Sequence, residues 1–258
     1  FHGARPLCAA LSLFWLLSLC SVRAIQRISD GMCFSATASF AVAAPLLPLG
    51  IYCLNRARRE DARWMPFAAY PLAFGLQQAV EGVLWIGISS GDQALIGAAS
   101  RGFLFFSHFF WLFWVPMSIL ALESDAHRKR ILAALAVLGG LYGASLFLPI
   151  LLNEDWLSVA VVHHSIVYKI TLIYDGIVNR QILRVIYAAI IVASLFICSA
   201  RQIRIFAMLM LVSVIAANLF FDYAFTSVWC FFAAILSLYV LYIVRVELKS
   251  EPTEPSAA

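Results

Sequence analysis

The sequence has few charged residues. Only 12% of its 258 residues are Asp, Glu, Lys or Arg, whereas soluble domains carry about 25%. Hydrophobic residues make up 63% of the chain, and the mean hydropathy is +0.91. No water-soluble fold can bury such an apolar excess, so a soluble enzyme, a nucleic-acid-binding protein and a disordered chain are excluded. We therefore predict a multi-pass protein of the cell inner or plasma membrane. Its partner is the lipid bilayer, and nucleic acid is not among its partners.

Long apolar segments take up most of the chain. Seven of them are long enough to cross a hydrocarbon layer of roughly 30 Å as helices. Lipid offers backbone groups no partners, and the segments lack the strict alternation of a membrane strand, so helices are required. We predict an all-α bundle of seven transmembrane helices, N-out and C-in, within residues 32–246. The predicted spans are 34–54, 64–88, 102–122, 131–152, 181–200, 205–223 and 227–246.

Three segments outside these spans differ from simple short loops. Residues 1–31 contain an apolar run that is too short to span, and we interpret them as a cleaved leader or as sequence upstream of a start at Met32. Residues 247–258 are polar and contain proline, which predicts a disordered cytoplasmic tail. The connection 153–180 is long for a simple link and β-prone over 166–174, and Asp175–Gly176 forms a turn signal. We expect it to lie over the outer mouth of the bundle.

Basic residues are distributed unevenly among the predicted loops. Eleven flank the spans on one side and four flank them on the other. Cytoplasmic loops carry the excess of Lys and Arg, which places the first helix with its N-terminus outside and the tail in the cytoplasm. The eleven are Arg56, Arg58, Arg59, Arg63, Arg128, Lys129, Arg130, Arg201, Arg204, Arg245 and Lys249, and the four are Arg101, Lys169, Arg180 and Arg184.

A few polar residues lie inside the apolar spans. A carboxylate there costs roughly 2.5–3.5 kcal/mol on insertion scales, so Glu81 needs a partner, water or a proton. Gln77 and Gln78 share its helix face. This group is either a hydrogen-bond clamp between helices or part of a ligand site. His108 is likewise either a packed donor or a ligand, and Asp222 either ends its span at the interface or joins the site.

With the predicted orientation, these polar residues gather on the outer side of the membrane. A path through the membrane needs polar groups at both depths, which disfavours a channel or transporter. We therefore predict an outward-facing polar pocket for a small or lipidic ligand. Its candidate ligand-binding residues are Gln77, Gln78, Glu81, Trp85, His108, His163, His164, Asp222 and Trp229.

Metal-binding spacings are missing from the sequence, which has neither HxxxH nor HExxH. We predict no cofactor, although His108, His163 and His164 with a nearby carboxylate are candidate zinc ligands. A metal-dependent membrane hydrolase is therefore one alternative function. A structural or assembly partner in a membrane complex is another.

Small and sulfur-containing residues add two further expectations. The GxxxG spacing of Gly139 and Gly143 predicts a close helix contact. Cys33 and Cys230 lie near the outer ends of their spans, and a disulfide between them is one alternative that the spacing leaves open.

Five segments of the sequence have distinctive motifs. They are Met-Cys-Phe-Ser-Ala-Thr-Ala-Ser-Phe at 32–40, Phe-Gly-Leu-Gln-Gln-Ala-Val-Glu-Gly-Val-Leu-Trp at 74–85, the aromatic block at 111–116 ending in Leu122-Glu123, His163-His164 with Tyr168, and Ser-Val-Trp-Cys-Phe-Phe-Ala-Ala at 227–234. Together these motifs resemble those of a bacterial family of multi-pass membrane proteins without an assigned activity. The similarity covers residues 32–246 and implies a seven-helix bundle, but it implies no substrate and no catalytic residue.

Overall fold

Seven long apolar helices dominate the computed structural model, which describes residues 35–248. This confirms the predicted number of spans. The predictions for residues 1–31, for Cys33 and for the tail beyond residue 248 lie outside the described residues. The helices are α1 Ala36–Glu60, α2 Ala62–Ser90, α3 Gln93–Leu122, α4 Ala126–Leu152, α5 Arg180–Ile197, α6 Arg201–Phe220 and α7 Asp222–Glu247.

The start of α3 differs most from the prediction, since the helix begins at Gln93 and not near residue 102. The Asp92 side chain accepts a hydrogen bond from the Leu95 N–H at 3.1 Å and so caps the first turn. Gly91 precedes this cap in a left-handed conformation with φ 72° and ends α2. A glycine and an N-cap aspartate therefore make a tight turn here, and the less hydrophobic first turns of α3 are still helical.

The connection between α4 and α5 contains a β-hairpin, which the all-α prediction did not include. Strands β1 (Leu157–Val162) and β2 (Ser165–Ile170) are antiparallel, and Val162 pairs with Ser165. The two-residue turn between them is His163–His164, with φ 47° and 58°. Positive φ at both positions is the requirement of a type I′ turn, which matches the twist of the paired strands. Both histidines are exposed at the hairpin tip.

The hairpin is docked on the helices through β2. Ile166 is 1% exposed and packs with Leu84 of α2 and Ala99 of α3. The ring of Tyr168 stacks on Phe103 of α3 with centroids 5.1 Å apart and planes 6° apart. These contacts bury one side of β2, so the hairpin is an integral part of this end of the bundle. We call this the hairpin end.

The base of the hairpin is fastened to the start of α5. Arg180 Nη2 donates to the Ile170 carbonyl at 2.6 Å and to Asp175 Oδ2 at 2.7 Å. Asp175 in turn accepts from the Leu172 N–H at 2.9 Å. Hydrogen bonding from Arg180 holds the pKa of the Asp175 carboxyl below its usual range, so this carboxyl is ionised at neutral pH.

Helix α3 is irregular where it meets α4. Residues 105–110 form a π-helical turn, and Pro116 follows within the same helix. Because Pro116 has no N–H, the Leu112 carbonyl loses its usual helical partner. Gly139 of α4 lies against that carbonyl so closely that a Cβ atom would be 2.1 Å from its oxygen. Gly143 similarly lies against the His108 carbonyl and the Phe109 Cα. The close contact predicted from the GxxxG spacing is confirmed.

The opposite end of the bundle is held together by a buried carboxylate. Glu123, just after α3, accepts from the Ser199 hydroxyl and N–H and from the N–H groups of Ser124 and Asp125, at 2.8–3.1 Å. Burial alone raises the pKa of Glu123, but these hydrogen bonds outweigh it and hold the pKa below its usual range. Glu123 thereby ties the α3–α4 connection to the α5–α6 connection. We call this the basic end, because Arg56, Arg128 and their neighbours lie here.

Candidate functional site

A polar group lies in the interior of the bundle, on α2. Gln77 and Gln78 are fully buried, and Glu81 is 2% exposed, so the predicted inward face of this helix is confirmed. The Ser227 hydroxyl of α7 donates to Glu81 Oε1 at 2.5 Å. Gln78 Nε2 donates to Glu81 Oε2 at 3.3 Å. Both carboxyl oxygens of Glu81 therefore have a donor, and the contact with Ser227 joins α2 to α7.

Gln77 extends this network toward α3. Trp111 Nε1 donates to Gln77 Oε1 at 2.7 Å, and the Trp111 ring stacks on Phe74 with centroids 3.9 Å apart. Gln78 Oε1 is buried and makes no hydrogen bond within the described part of the chain, and the Gln77 amide lies beside the Cys230 thiol of α7. Unsatisfied buried amide groups are costly, and they mark sites where an additional polar molecule is favoured. The polar group is thus a clamp between three helices with unused hydrogen-bonding capacity.

A cavity of about 120 Å³ lies beside this group at the hairpin end. Its walls come from α3, α4, α5, α7 and the segment that contains β2. His108, in the π-helical turn of α3, faces it, and His108 Nδ1 lies 2.9 Å from Ser107 Oγ. The lining residues are Ser107, His108, Tyr142, Leu146, Tyr168, Ile170, Leu172, Arg180, Leu183, Arg184, Tyr187, Phe225, Thr226, Trp229 and Cys230.

Both arginines in the cavity wall are neutralised by carboxylates outside it. Arg184 Nη1 forms an ion pair with Asp222 Oδ1, and Arg184 Nη2 donates to the Asp222 carbonyl at 3.2 Å. Its guanidinium also lies 4.9 Å from the centroid of the Phe225 ring. Arg180 is paired with Asp175, as described above. The cavity therefore contains no unpaired positive charge from these two residues.

Two residues that line the cavity each carry a hydrogen-bond donor without a partner in the described residues. The donors are Trp229 Nε1 and the Tyr168 hydroxyl, and both atoms are buried. Trp229 as a whole is 5% exposed and packs edge to face against Tyr187 at 5.3 Å. Burial, with a smaller effect from nearby Glu81, holds the pKa of the Tyr168 phenol well above its usual range. Tyr168 is thus a neutral hydroxyl, and Trp229 Nε1 can only donate.

The structure divides the predicted site residues into separate groups. His108 and Trp229 line the cavity, and Gln77, Gln78 and Glu81 form the polar group near it. Trp85 packs instead in the apolar cluster around Leu84 and Ile166. The remaining three lie on the surface of the hairpin end. His163 and His164 form the hairpin tip, where the His163 ring contacts Tyr223 at 5.7 Å, and Asp222 forms the ion pair with Arg184.

Sequence reasoning missed several residues of the cavity wall. Arg180, Arg184 and Tyr187 are spaced by four and three residues, so they share one face of α5, as the structure shows. That pattern was available in the sequence. Tyr142 and Trp111 carried no such signal, because aromatic residues are abundant throughout the apolar spans. Their roles depend on which helices become neighbours.

The candidate zinc ligands are not assembled into a cluster in the described residues. His108 lies in the cavity wall, whereas His163 and His164 are at the hairpin tip. Among residues 35–248, no group of three His, Cys, Asp or Glu side chains has the spacing of a metal site. Cys230 is buried in the cavity wall, and its suggested partner Cys33 lies outside the described residues.

Comparisons with known proteins place the chain in one family. No curated protein and no solved structure gives a significant match to it. A family profile matches residues 32–255, which is most of the chain. This agrees with the sequence resemblance to a family without an assigned activity. The chain belongs to DUF6629, a family of unknown function.

Proposed function

We propose that the protein binds a small or lipidic ligand in the cavity at the hairpin end. The observation that carries this proposal is the pair of buried donors in the cavity wall, Trp229 Nε1 and the Tyr168 hydroxyl, which have no partner among the described residues. Buried polar groups are normally hydrogen-bonded, and a site that leaves two donors unpaired is stabilised by a molecule that accepts from them.

The composition of the cavity wall supports the same conclusion. Ligand sites are usually concave and mostly apolar, with a few polar groups that fix orientation. Here aromatic and aliphatic side chains from four helices surround His108, Tyr168 and Trp229. The π-helical turn that contains His108 is a further indication, because such turns are frequent at functional sites.

The proposal includes an orientation in the membrane. The protein lies in the cell inner or plasma membrane with the hairpin end outside and the basic end in the cytoplasm. The excess of Lys and Arg at the basic end supports this arrangement, since it follows the positive-inside rule. The cavity then lies at the outer side of the membrane, and β2 contributes to its wall.

The proposal is tested by filling the cavity. Thr226→Phe and Leu183→Phe each place a larger side chain in the cavity wall, and Val212→Phe makes a similar addition on the exposed surface of α6. The protein is purified from membranes in mild detergent, and its bound small molecules and lipids are extracted and identified by mass spectrometry. We expect one compound in stoichiometric amount with the wild type and with Val212→Phe, and at least a tenfold loss in the other two.

Thermal unfolding of each variant provides the control for folding. Cavity-filling variants that unfold at the wild-type temperature and lack the compound support the proposal. The same compound in equal amount in all four proteins would place its binding site elsewhere. In that case the cavity is only a packing defect, and the proposal is wrong.

A further inference from the structure

The size of the cavity limits what its deepest part can hold. An apolar cavity of roughly 150 Å³ accommodates one benzene molecule. With about 120 Å³, this cavity has room for the larger part of a single six-membered ring. A longer ligand must extend beyond it. The dimensions favour a compact ring with any tail outside the cavity.

The electrostatics of the wall favour a neutral ligand. An anion would have to compete with Asp222 for Arg184 and with Asp175 for Arg180. A cation finds no carboxylate in the wall, because the described residues that line the cavity include neither Asp nor Glu. Desolvating a charge without a partner costs far more than burying a neutral group. Charged ligands of either sign are therefore disfavoured.

Two unpartnered donors among the lining residues favour acceptor oxygens on the ligand. Trp229 Nε1 can only donate, and the buried Tyr168 hydroxyl is protonated and has no partner in the part of the chain that the structure describes. Aromatic residues make up much of the rest of the wall, where Tyr187 and Phe225 contact the Trp229 ring and Tyr142 also lines the cavity. Aromatic rings pack favourably against a planar ring in offset or edge-to-face geometry.

We infer that the ligand is an electrically neutral planar ring that carries carbonyl oxygens and an apolar tail, which is the chemistry of a lipid-soluble quinone. The inference rests on the proposed function and adds the chemical class of the ligand. The carbonyl oxygens accept from Trp229 Nε1 and the Tyr168 hydroxyl, the aromatic side chains pack against the ring, and the tail lies along the helices in the lipid. No electron transfer is part of the inference.

The test compares three probes that share one tail. A decyl-substituted benzoquinone has the ring and the carbonyl oxygens, decylbenzene has only the ring, and decyl phosphate has a charged head group. Each is titrated into the full-length protein in phosphatidylcholine nanodiscs, and isothermal titration calorimetry measures Kd and stoichiometry. We expect the quinone to bind one to one, at least fivefold more tightly than decylbenzene, and decyl phosphate not to displace it.

Conservative variants connect this binding to the two donors. Trp229→Phe and Tyr168→Phe keep an aromatic ring and remove one donor each, so each should weaken quinone binding about fivefold, the effect of one net hydrogen bond. Trp114→Phe is the matched control. Trp114 Nε1 donates to the Pro66 carbonyl, and this tryptophan does not line the cavity. Its substitution should leave the Kd for the quinone unchanged.

The outcomes separate the ligand class from the proposed function. Decyl phosphate that binds more tightly than the quinone, or quinone binding that is equal in all variants, overturns the inference about ligand class. If the quinone does not bind while cavity-filling variants still lose a co-purified compound, the class is wrong and the proposed function stands. If the co-purified compound is unaffected by cavity filling, the proposed function itself fails.

Discussion

The Ser227 hydroxyl donates to Glu81 Oε1 at 2.5 Å, across the interior between α7 and α2. Ser227 and Glu81 lie far apart in the sequence, and both side chains are almost completely buried. A carboxyl group inside an apolar bundle is costly unless it is hydrogen-bonded. The contact with Ser227 therefore stabilises the packing of α2 against α7, and α7 forms part of the cavity wall.

Removal of this hydroxyl should destabilise the bundle. In Ser227→Ala, Glu81 Oε1 loses its donor in a buried position, which typically costs about 1–3 kcal/mol. We expect a lower midpoint of thermal unfolding in detergent, followed by intrinsic fluorescence. Ser89→Ala is the control, because Ser89 is exposed and its hydroxyl donates only to the Ile86 carbonyl of its own helix. Equal midpoints for the two variants would contradict a stabilising role for the buried contact.

A substitution of His108 should separate ligand binding from folding. The His108 side chain lines the cavity, and His108→Ala removes its ring without changing the Gly143 contact, which involves the His108 backbone. We expect normal membrane insertion and at least a threefold loss of the co-purified compound, measured by mass spectrometry.

His127→Ala provides the matched comparison, because His127 is exposed near the start of α4 at the basic end. It should retain the wild-type amount of the compound. If the His108→Ala protein does not insert into the membrane, the role of His108 is to pack the helices and not to bind the ligand.

The contact of α3 with α4 should not tolerate a side chain at residue 139. In Gly139→Ala the new Cβ meets the Leu112 carbonyl oxygen at 2.1 Å, so the helices must separate. Overpacking of this kind costs about 1–3 kcal/mol. Gly140→Ala is a close control, since its Cβ is 3.4 Å from the nearest atom, in the Phe113 ring. Thermal unfolding should show a large decrease for the first variant and little change for the second.

The Glu123 clamp should make stability depend on pH in the acid range. Its folded-state pKa lies below the ordinary value, so it stabilises the fold above about pH 4.3, the usual pKa of glutamate. This contribution is lost as the pH falls through the folded-state pKa. At neutral pH, Glu123→Gln should lower stability by roughly 1.5–3 kcal/mol, the value of one hydrogen bond to a charged group.

Chemical unfolding as a function of pH measures this effect. The difference between wild type and Glu123→Gln should be constant near neutral pH and should shrink below about pH 4.3. Glu60→Gln, at an exposed position at the end of α1, serves as the control and should show no such difference. A gap between wild type and Glu123→Gln that is the same at every pH would show that ionisation of Glu123 is not its origin.

Reporter insertions should reveal the proposed orientation. Alkaline phosphatase is active only outside the cytoplasm, so it should be active when inserted between His163 and His164, at the exposed hairpin tip. Green fluorescent protein fused after residue 258 should fluoresce, because the tail is proposed to lie in the cytoplasm. The opposite pair of results would invert the orientation and place the cavity on the cytoplasmic side.

The sequence alone determined the class of fold. Each span is apolar over most of its length, and lipid forces such segments into helices, so the seven helices could be counted without knowledge of their neighbours. The buried face of Gln77, Gln78 and Glu81 was also predictable, since helical periodicity and the cost of burying polar groups are local properties. The family resemblance agreed with this fold, but it implied no substrate and no catalytic residue.

Only the tertiary structure decided which polar residues meet. Glu81 is joined to Ser227, and the pairing of Arg184 with Asp222 neutralises a charge in the cavity wall, although each pair is distant in the sequence. The same holds for the hairpin, whose docking brings Tyr168 into that wall while leaving His163 and His164 exposed. Such contacts depend on how helices pack against one another. That packing is set by the shapes of many side chains together, and no local pattern in the sequence encodes it.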